Sequence, residues 1–156
     1  MTAVRQGLDF GLLGPLTVRR ARTVLDPGRR KQRLLLIRLL LADGRAVAPQ
    51  TLCEELWPQQ PGRAPGGAMG SLHAHISKVR AVLEPQHLRR QGTFEVLVTE
   101  PLGHALRVPP ESRDTVRFER ALAQARRFMD QIEDLDTSWD GMRSTITSHA
   151  AKHCGS

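Results

Sequence analysis

Residues 69–107 constrain the fold most, because they join a helix with two chemically unlike faces to a short β-hairpin. Met69, Leu72, Ile76, Val79 and Leu83 recur at helical spacing, so a helix over 69–83 would bury one stripe. The opposite stripe is Gly70, Ala74, Ser77 and Ala81, small throughout, with Ser71, His73 and Lys78 on its flanks. An ordinary solvated face carries long Glu and Lys side chains. A face small at its centre and rich in donors at its edges fits a DNA major groove instead. Its backbone can come close to base edges while flanking donors reach bases and phosphates. Residues 94–99 and 104–108, around the turn Leu102-Gly103, predict a hairpin beside that helix, where a wing carrying Thr99 would meet the adjacent DNA backbone.

Charge points the same way. The chain of 156 residues has a net charge of +7 and a pI near 10.9. Residues 1–113 hold 17 Lys and Arg against 9 Asp and Glu, whereas residues 114–156 hold 6 against 7. The basic excess therefore travels with the candidate docking helix and suggests a polyanionic partner. With no Tyr and only six Phe and Trp, the core must be aliphatic. Cys53 and Cys154 are too few for a disulfide framework, and Cys53 reads as a small buried thiol. The N-terminus lacks a basic-apolar-small cleavage pattern, and residues 34–42, interrupted by Arg38, are too short to cross a bilayer. The expectation is a cytoplasmic, nucleoid-associated protein without membrane contact.

Three short strands are expected over 8–13, 16–20 and 23–25, separated by Gly14-Pro15 and closed by Pro27-Gly28. Residues 31–42 predict a helix apolar around most of its circumference, stopped by Gly44. Its cationic start, Arg29-Arg30-Lys31, either receives an anion or is a solvated cluster. Pro49 opens a second helix over 50–57, and the Pro- and Gly-rich stretch 58–67 is a loop. After Pro109-Pro110, Val116, Phe118, Leu122, Ala125, Phe128 or Met129, and Ile132 trace an amphipathic helix from Asp114 to about Leu135. Asp114 is its expected N-cap, and the Ser-, Thr- and Gly-rich residues 136–156 are expected to be loose. One isolated amphipathic helix is marginal in water, so it should pack on the preceding domain or pair with a second copy.

The order of these elements resembles the OmpR/PhoB-type winged helix-turn-helix, an α+β fold with an N-terminal antiparallel sheet, three helices and a C-terminal hairpin wing. Residues 72–80, Leu-His-Ala-His-Ile-Ser-Lys-Val-Arg, resemble that family's recognition helix. Phe10-Gly11-Leu12-Leu13-Gly14-Pro15-Leu16-Thr17-Val18 resembles the opening of the Streptomyces antibiotic regulatory protein (SARP) family of transcriptional activators. Residues 31–36, 39–42, 44–47 and 52–57 continue that pattern, and residues 114–126 resemble the start of the family's bacterial transcriptional activation domain. The resemblance implies a DNA-binding domain over 1–113 and a partial activation domain over 114–156.

By position, Lys78 takes the place of the family's main base- or phosphate-reading cation, and His73 and Ala74 the neighbouring groove positions. Ser71, His75 and Arg80 flank them on phosphates, and Ser77 lies on the same face. Arg80 could instead snorkel over the core edge, and His75 could be structural. The resemblance further implies direct DNA repeats near promoters of biosynthetic genes, with RNA polymerase and its sigma factor as partners and a possible homodimer on DNA. The loop with Gln59, Gln60 and Arg63 would face polymerase, or simply connect two helices. Three departures stand out: Glu100 where the family tends to have Arg, Gly103-His104 in place of Gly-Tyr, and a short activation domain.

Two other function classes compete. A winged-helix scaffold that has lost DNA binding and serves protein interaction is favoured by Glu100 and the short C-terminal part, and opposed by Lys78, Arg80 and the basic front part. An enzyme finds no support, since no Gly-rich phosphate loop, carboxylate pair or nucleophile-base spacing appears. His149, His153 and Cys154 read as a chance grouping, so neither a metal nor a cofactor is expected.

Overall fold

Leu8, Phe10 and Val18 alternate inward along two strands, and that alternation starts the core. The computed structural model describes the backbone of residues 7–58, 67–86 and 93–153. Strands β1 (Leu8–Gly11), β2 (Thr17–Arg20) and β3 (Thr23–Leu25) form an antiparallel meander in which Phe10 pairs with Val18. Helices α1 (Arg30–Leu41), α2 (Pro49–Leu56) and α3 (Ala68–Leu83) follow, then the hairpin of β4 (Leu97–Glu100) and β5 (Gly103–Leu106). A 3-10 turn, Pro110–Ser112, leads into α4 (Asp114–His153). The architecture is α+β with small antiparallel sheets. Residues 1–117 make one compact unit and residues 118–156 a second.

The core of the first unit is aliphatic, with Phe10 its one fully buried aromatic among the described residues. Leu35, Leu36, Leu39 and Leu40 of α1 meet Leu52 and Leu56 of α2 and Leu72, Ile76, Val79 and Leu83 of α3. Each such side chain, fully buried, contributes roughly 1.5–3 kcal/mol of transfer free energy. Cys53 is buried among them, and burial pushes its thiol pKa up, with the Glu54 charge adding to the rise. The α1 helix is buried on one face only, because Leu34 and Leu41 are exposed, so its expected all-round burial is corrected. Gln32 is buried instead, and its Oε1 accepts the Arg29 N–H at 2.5 Å.

Met69 is also corrected, being 38% exposed while Ala68 is buried. The helix begins at Ala68, so the inward stripe runs through Ala68 and Leu72 and leaves Met69 about 100° round the axis. Gly67, in the left-handed region at φ 97°, turns the chain into it.

The hairpin is docked on the body by a bridge the local pattern could not reveal. His104 and Val47 exchange backbone hydrogen bonds of 2.8 and 3.0 Å. A Cβ on Gly103 would sit 2.0 Å from the Val47 carbonyl oxygen, and its φ is 141°. Only glycine meets both demands. Behind the hairpin, the fully buried Glu84 carboxylate accepts the backbone N–H groups of Glu95 at 2.7 Å and Leu97 at 3.1 Å.

The start of α4 closes the first unit. Arg113, buried, pairs with Phe10 as an isolated bridge and donates to the Leu40 carbonyl at 3.1 Å and to the Asp43 carboxylate. Asp114 is not the cap expected of it but the first residue of the helix. Its carboxylate accepts the N–H groups of Leu12 at 2.8 Å and Leu13 at 3.1 Å, stapling the end of β1. Arg117 pairs with Asp9.

Beyond residue 117 the helix does not stop near Leu135 but continues to His153, which overturns the loose tail expected over 136–153. Thr145 Oγ1 donates to the Gly141 carbonyl at 2.9 Å and Thr147 Oγ1 to the Arg143 carbonyl at 2.8 Å. Hydroxyls satisfied on the helix's own carbonyls do not break it.

Candidate nucleic-acid interface

Helix α3 presents Gly70, Ser71, His73, Ala74, Ser77 and Lys78 outward, all exposed, while its opposite stripe is sealed in the core. Ala81, expected on the outward face, is half-buried. Lys78 has no ion-pair partner among the described residues, so its ammonium is available to an incoming anion. The face therefore has a low centre of Gly and Ala, with donors about it.

The two flanks are locked to different neighbours. On one, Arg80 Nε donates to the Leu97 carbonyl at 2.9 Å and its Nη2 to Thr99 Oγ1 at 2.7 Å. Its guanidinium lies over the Phe94 ring, 4.4 Å from the centroid. Thr99 Oγ1 also lies 3.2 Å from His104 Nδ1, and the His73 ring meets the His104 ring edge-on at 6.5 Å. Arg80 thus fastens the helix to the hairpin, which is closer to the snorkelling alternative than to a free phosphate contact. Thr99 remains exposed, though its hydroxyl already has two partners. Burial lowers the His104 pKa, and the charges of Arg80 and His73 lower it further, so the ring is held neutral beside the arginine.

On the other flank, His75 stacks on Trp57 with centroids 6.0 Å apart, and Lys31 Nζ lies 4.4 Å from the Trp57 ring on its way to the Leu56 carbonyl at 2.6 Å. Burial lowers the His75 pKa, with Lys78 and Lys31 acting in the same direction. A neutral imidazole stacked on an indole is a packing element, which gives the structural alternative for His75 its geometry. Lys31 has therefore left the cationic cluster, and Arg33 pairs with Asp26, leaving Arg29 and Arg30 as its exposed members.

At the hairpin end Glu100 is not an isolated carboxylate. Arg107, the residue after β5, donates to it, Nε at 3.1 Å and Nη2 closer still. Sequence reading missed Arg107 because the partner lies seven positions on, across the turn. It also missed Trp57 and Phe94, the aromatic platforms beneath His75 and Arg80. Gln59, Gln60 and Arg63 lie outside the described residues. No group of three or more His, Cys, Asp or Glu positioned to hold a metal occurs among the described residues, and none of their helices is long and apolar enough to cross a membrane.

No protein-family model matches the chain. It is 35% identical over 115 residues to the transcriptional regulatory protein EmbR of Mycobacterium tuberculosis, covering 74% of this chain and 28% of that protein. It is 32% identical over 139 residues to the regulatory protein AfsR of Streptomyces coelicolor, covering 89% of this chain and 13% of AfsR. It is also 31% identical over 130 residues to the regulatory protein DnrI of Streptomyces peucetius, covering 81% and 46%. A solved structure of Mycobacterium tuberculosis EmbR in complex with a low affinity phosphopeptide superposes with a TM-score of 0.60 at 32% identity, over 72% of this chain and 28% of that one. The chain thus spans less than half the length of each of these relatives.

The relatives are regulators, and none is named as an enzyme, so the fold and sequence place this chain among homologues of transcriptional regulators. The likeness to the solved EmbR structure, at 32% identity over 72% of this chain, supports an α+β domain with small antiparallel sheets of the same kind.

Proposed function

We propose that this chain is a sequence-specific, duplex-DNA-binding transcriptional regulator that reads a major groove with α3. The observation that carries the reading is the outward face of that helix, with Ala74 low at its centre and Lys78, Ser71, His73 and Ser77 exposed about it. In this reading the hairpin of β4 and β5 serves as an OmpR/PhoB-type wing against the neighbouring DNA backbone. Lys78 is the base- or phosphate-reading cation, and Arg80 fixes the angle between helix and wing. Residues 1–113, closed by the first turn of α4, are the DNA-binding part, and residues 114–156 begin an activation domain. In this reading the chain acts in the cytoplasm as an activator of a biosynthetic gene cluster. It binds direct repeats, with possible pairing of copies on DNA, and contacts RNA polymerase and its sigma factor. The alternative, a protein-interaction module without DNA binding, loses its main support because Arg107 neutralises Glu100.

The test begins with duplexes selected from a random pool by the wild-type chain. Lys78→Ala is expected to weaken binding to the selected duplex more than to random DNA, by about 1–3 kcal/mol where it meets a base edge. Ala74→Glu should abolish both while helical circular dichroism is unchanged. Retained binding by Ala74→Glu would place the docking face elsewhere, and recovery of no preferred sequence would remove the claim of specificity.

A further inference from the structure

Arg80 is not the sole side chain of α3 that meets the hairpin. Two turns earlier on the same side of the helix, the exposed His73 ring lies edge-on to the buried His104 ring, with centroids 6.5 Å apart. The two rings are held very differently. His104 exchanges backbone hydrogen bonds with Val47, and Thr99, opposite it across the hairpin, places Oγ1 3.2 Å from its Nδ1. Arg80 Nη2 donates to the same Oγ1, so the hydroxyl's own hydrogen goes to Nδ1. The neutral ring then carries its proton on Nε2. Backbone, hydroxyl and burial leave that ring one orientation, and at 5% exposure it cannot reach a base itself. His73 is exposed, and among the described residues its imidazole rests on this wall.

We infer that His104 is a positioning residue for DNA recognition: it fixes the His73 imidazole on the docking face, so that His73 sets the base preference at one position of the duplex. The inference rests on the reading of α3 as the groove-facing helix and adds to it a role for the hairpin in sequence choice. A side chain that already stands in its bound orientation loses less freedom on docking, and it presents its nitrogens to a base edge at one angle. Discrimination by hydrogen bonding depends on that angle, because donors and acceptors in the major groove are read by geometry. The chain of contacts from Arg80 through Thr99 and His104 to His73 begins and ends on α3. The hairpin therefore grips the helix at two points, two turns apart, and its seating is coupled to the orientation of His73.

Two measurements test it, the first without DNA. In the free chain, His104→Ala is expected to shift the His73 imidazole resonances in a proton-carbon NMR spectrum, and His104→Phe, which keeps a ring there, to return them most of the way. Resonances indifferent to His104→Ala overturn the proposal whatever the chain does with DNA. The second measurement uses duplexes selected by the wild-type chain and altered one base pair at a time. His73→Ala and His104→Ala should each lower discrimination at the same base pair by about fivefold, and the double variant should lose no more than either. Should His104→Ala fail to fold by circular dichroism, Thr99→Val, which replaces the hydroxyl on Nδ1 with a methyl group, carries both tests and should lose part of the same discrimination. Losses that are absent, fall at different base pairs or add in the double variant overturn the proposal. So does a loss equal at every base pair, which would mean that His104 merely seats the hairpin. A wild-type chain that prefers no duplex overturns the reading of α3 first and this inference with it, a result distinct from the others.

Discussion

Among the described residues of the first unit, the apolar stripe of α3 from Leu72 through Ile76 and Val79 to Leu83 ends in the core, whereas from residue 118 a regular apolar stripe faces outward. The first unit has three helices and two sheets whose differing periods converge on one aliphatic centre. It adds long-range polar fastenings, including Arg113 on Leu40, Asp114 on Leu12 and Leu13, and Glu84 on the hairpin. The second has one period and one element. Amphipathicity states that a face must be covered; it does not state by what. Where several elements with different periods meet, the answer is internal.

The sharpest way to break the first unit is at its tightest approach. Gly103→Ala puts a methyl group into the Val47 carbonyl and forces a side chain into the left-handed region, so it should cost about 3 kcal/mol of stability. Chemical denaturation should show that loss together with weaker DNA binding, because the hairpin can no longer seat. A loss under about 0.5 kcal/mol would mean that the hairpin is not held against Val47 in solution.

A smaller effect tests the staple between β1 and α4. Burial pushes the Asp114 carboxyl up, but the Leu12, Leu13 and Thr115 N–H groups and the Arg117 charge pull it down further, leaving it below its ordinary value. A carboxyl depressed in the folded state contributes stability at pH values above its unfolded pKa, near 3.9, and loses it as pH falls through the folded value. Asp114→Asn should therefore be less stable than wild type at pH 7 by on the order of 1 kcal/mol. The gap should close as pH drops below about 4. A gap that is constant with pH would show that the charge contributes nothing.

The smallest effect concerns the wing tip. A lone carboxylate at the wing tip would repel phosphates, and Glu100→Arg would then tighten binding. With Arg107 already paired to it, Glu100→Gln alone should suffice, releasing the guanidinium to DNA. The expected gain is about twofold to fivefold in affinity at low salt, the size of one exposed charge contact. No change would indicate that this tip stays away from the duplex.

Much of the first unit was legible because its signals are local. Leu72, Ile76, Val79 and Leu83 gave α3, Pro49 opened α2, and the alternation of Leu8, Phe10 and Val18 marked the strands. What escaped was non-local. The bridge from Val47 to His104, the clamp of Arg80 on Leu97, and the pairing of Glu100 with Arg107 each join residues that no short window contains. Arg80 and His75 were placed on the right helix, but their neighbours Phe94 and Trp57 decide what they do. The end of α4 failed differently. Trp139, Met142 and Ile146 extend the repeat in plain view, yet the Ser and Thr content between them outweighed it in the reading. Period, not composition, carried the information there.

The claim on which the rest depends is that the basic first unit lays its α3 face on duplex DNA. Affinity for a random duplex, measured across a salt series, tests it most directly. If roughly five phosphates are neutralised, the logarithm of affinity should fall against the logarithm of salt with a slope of about −4 to −5, and Lys78→Ala should make that slope shallower by up to about 1. A slope near zero on every duplex would contradict the account.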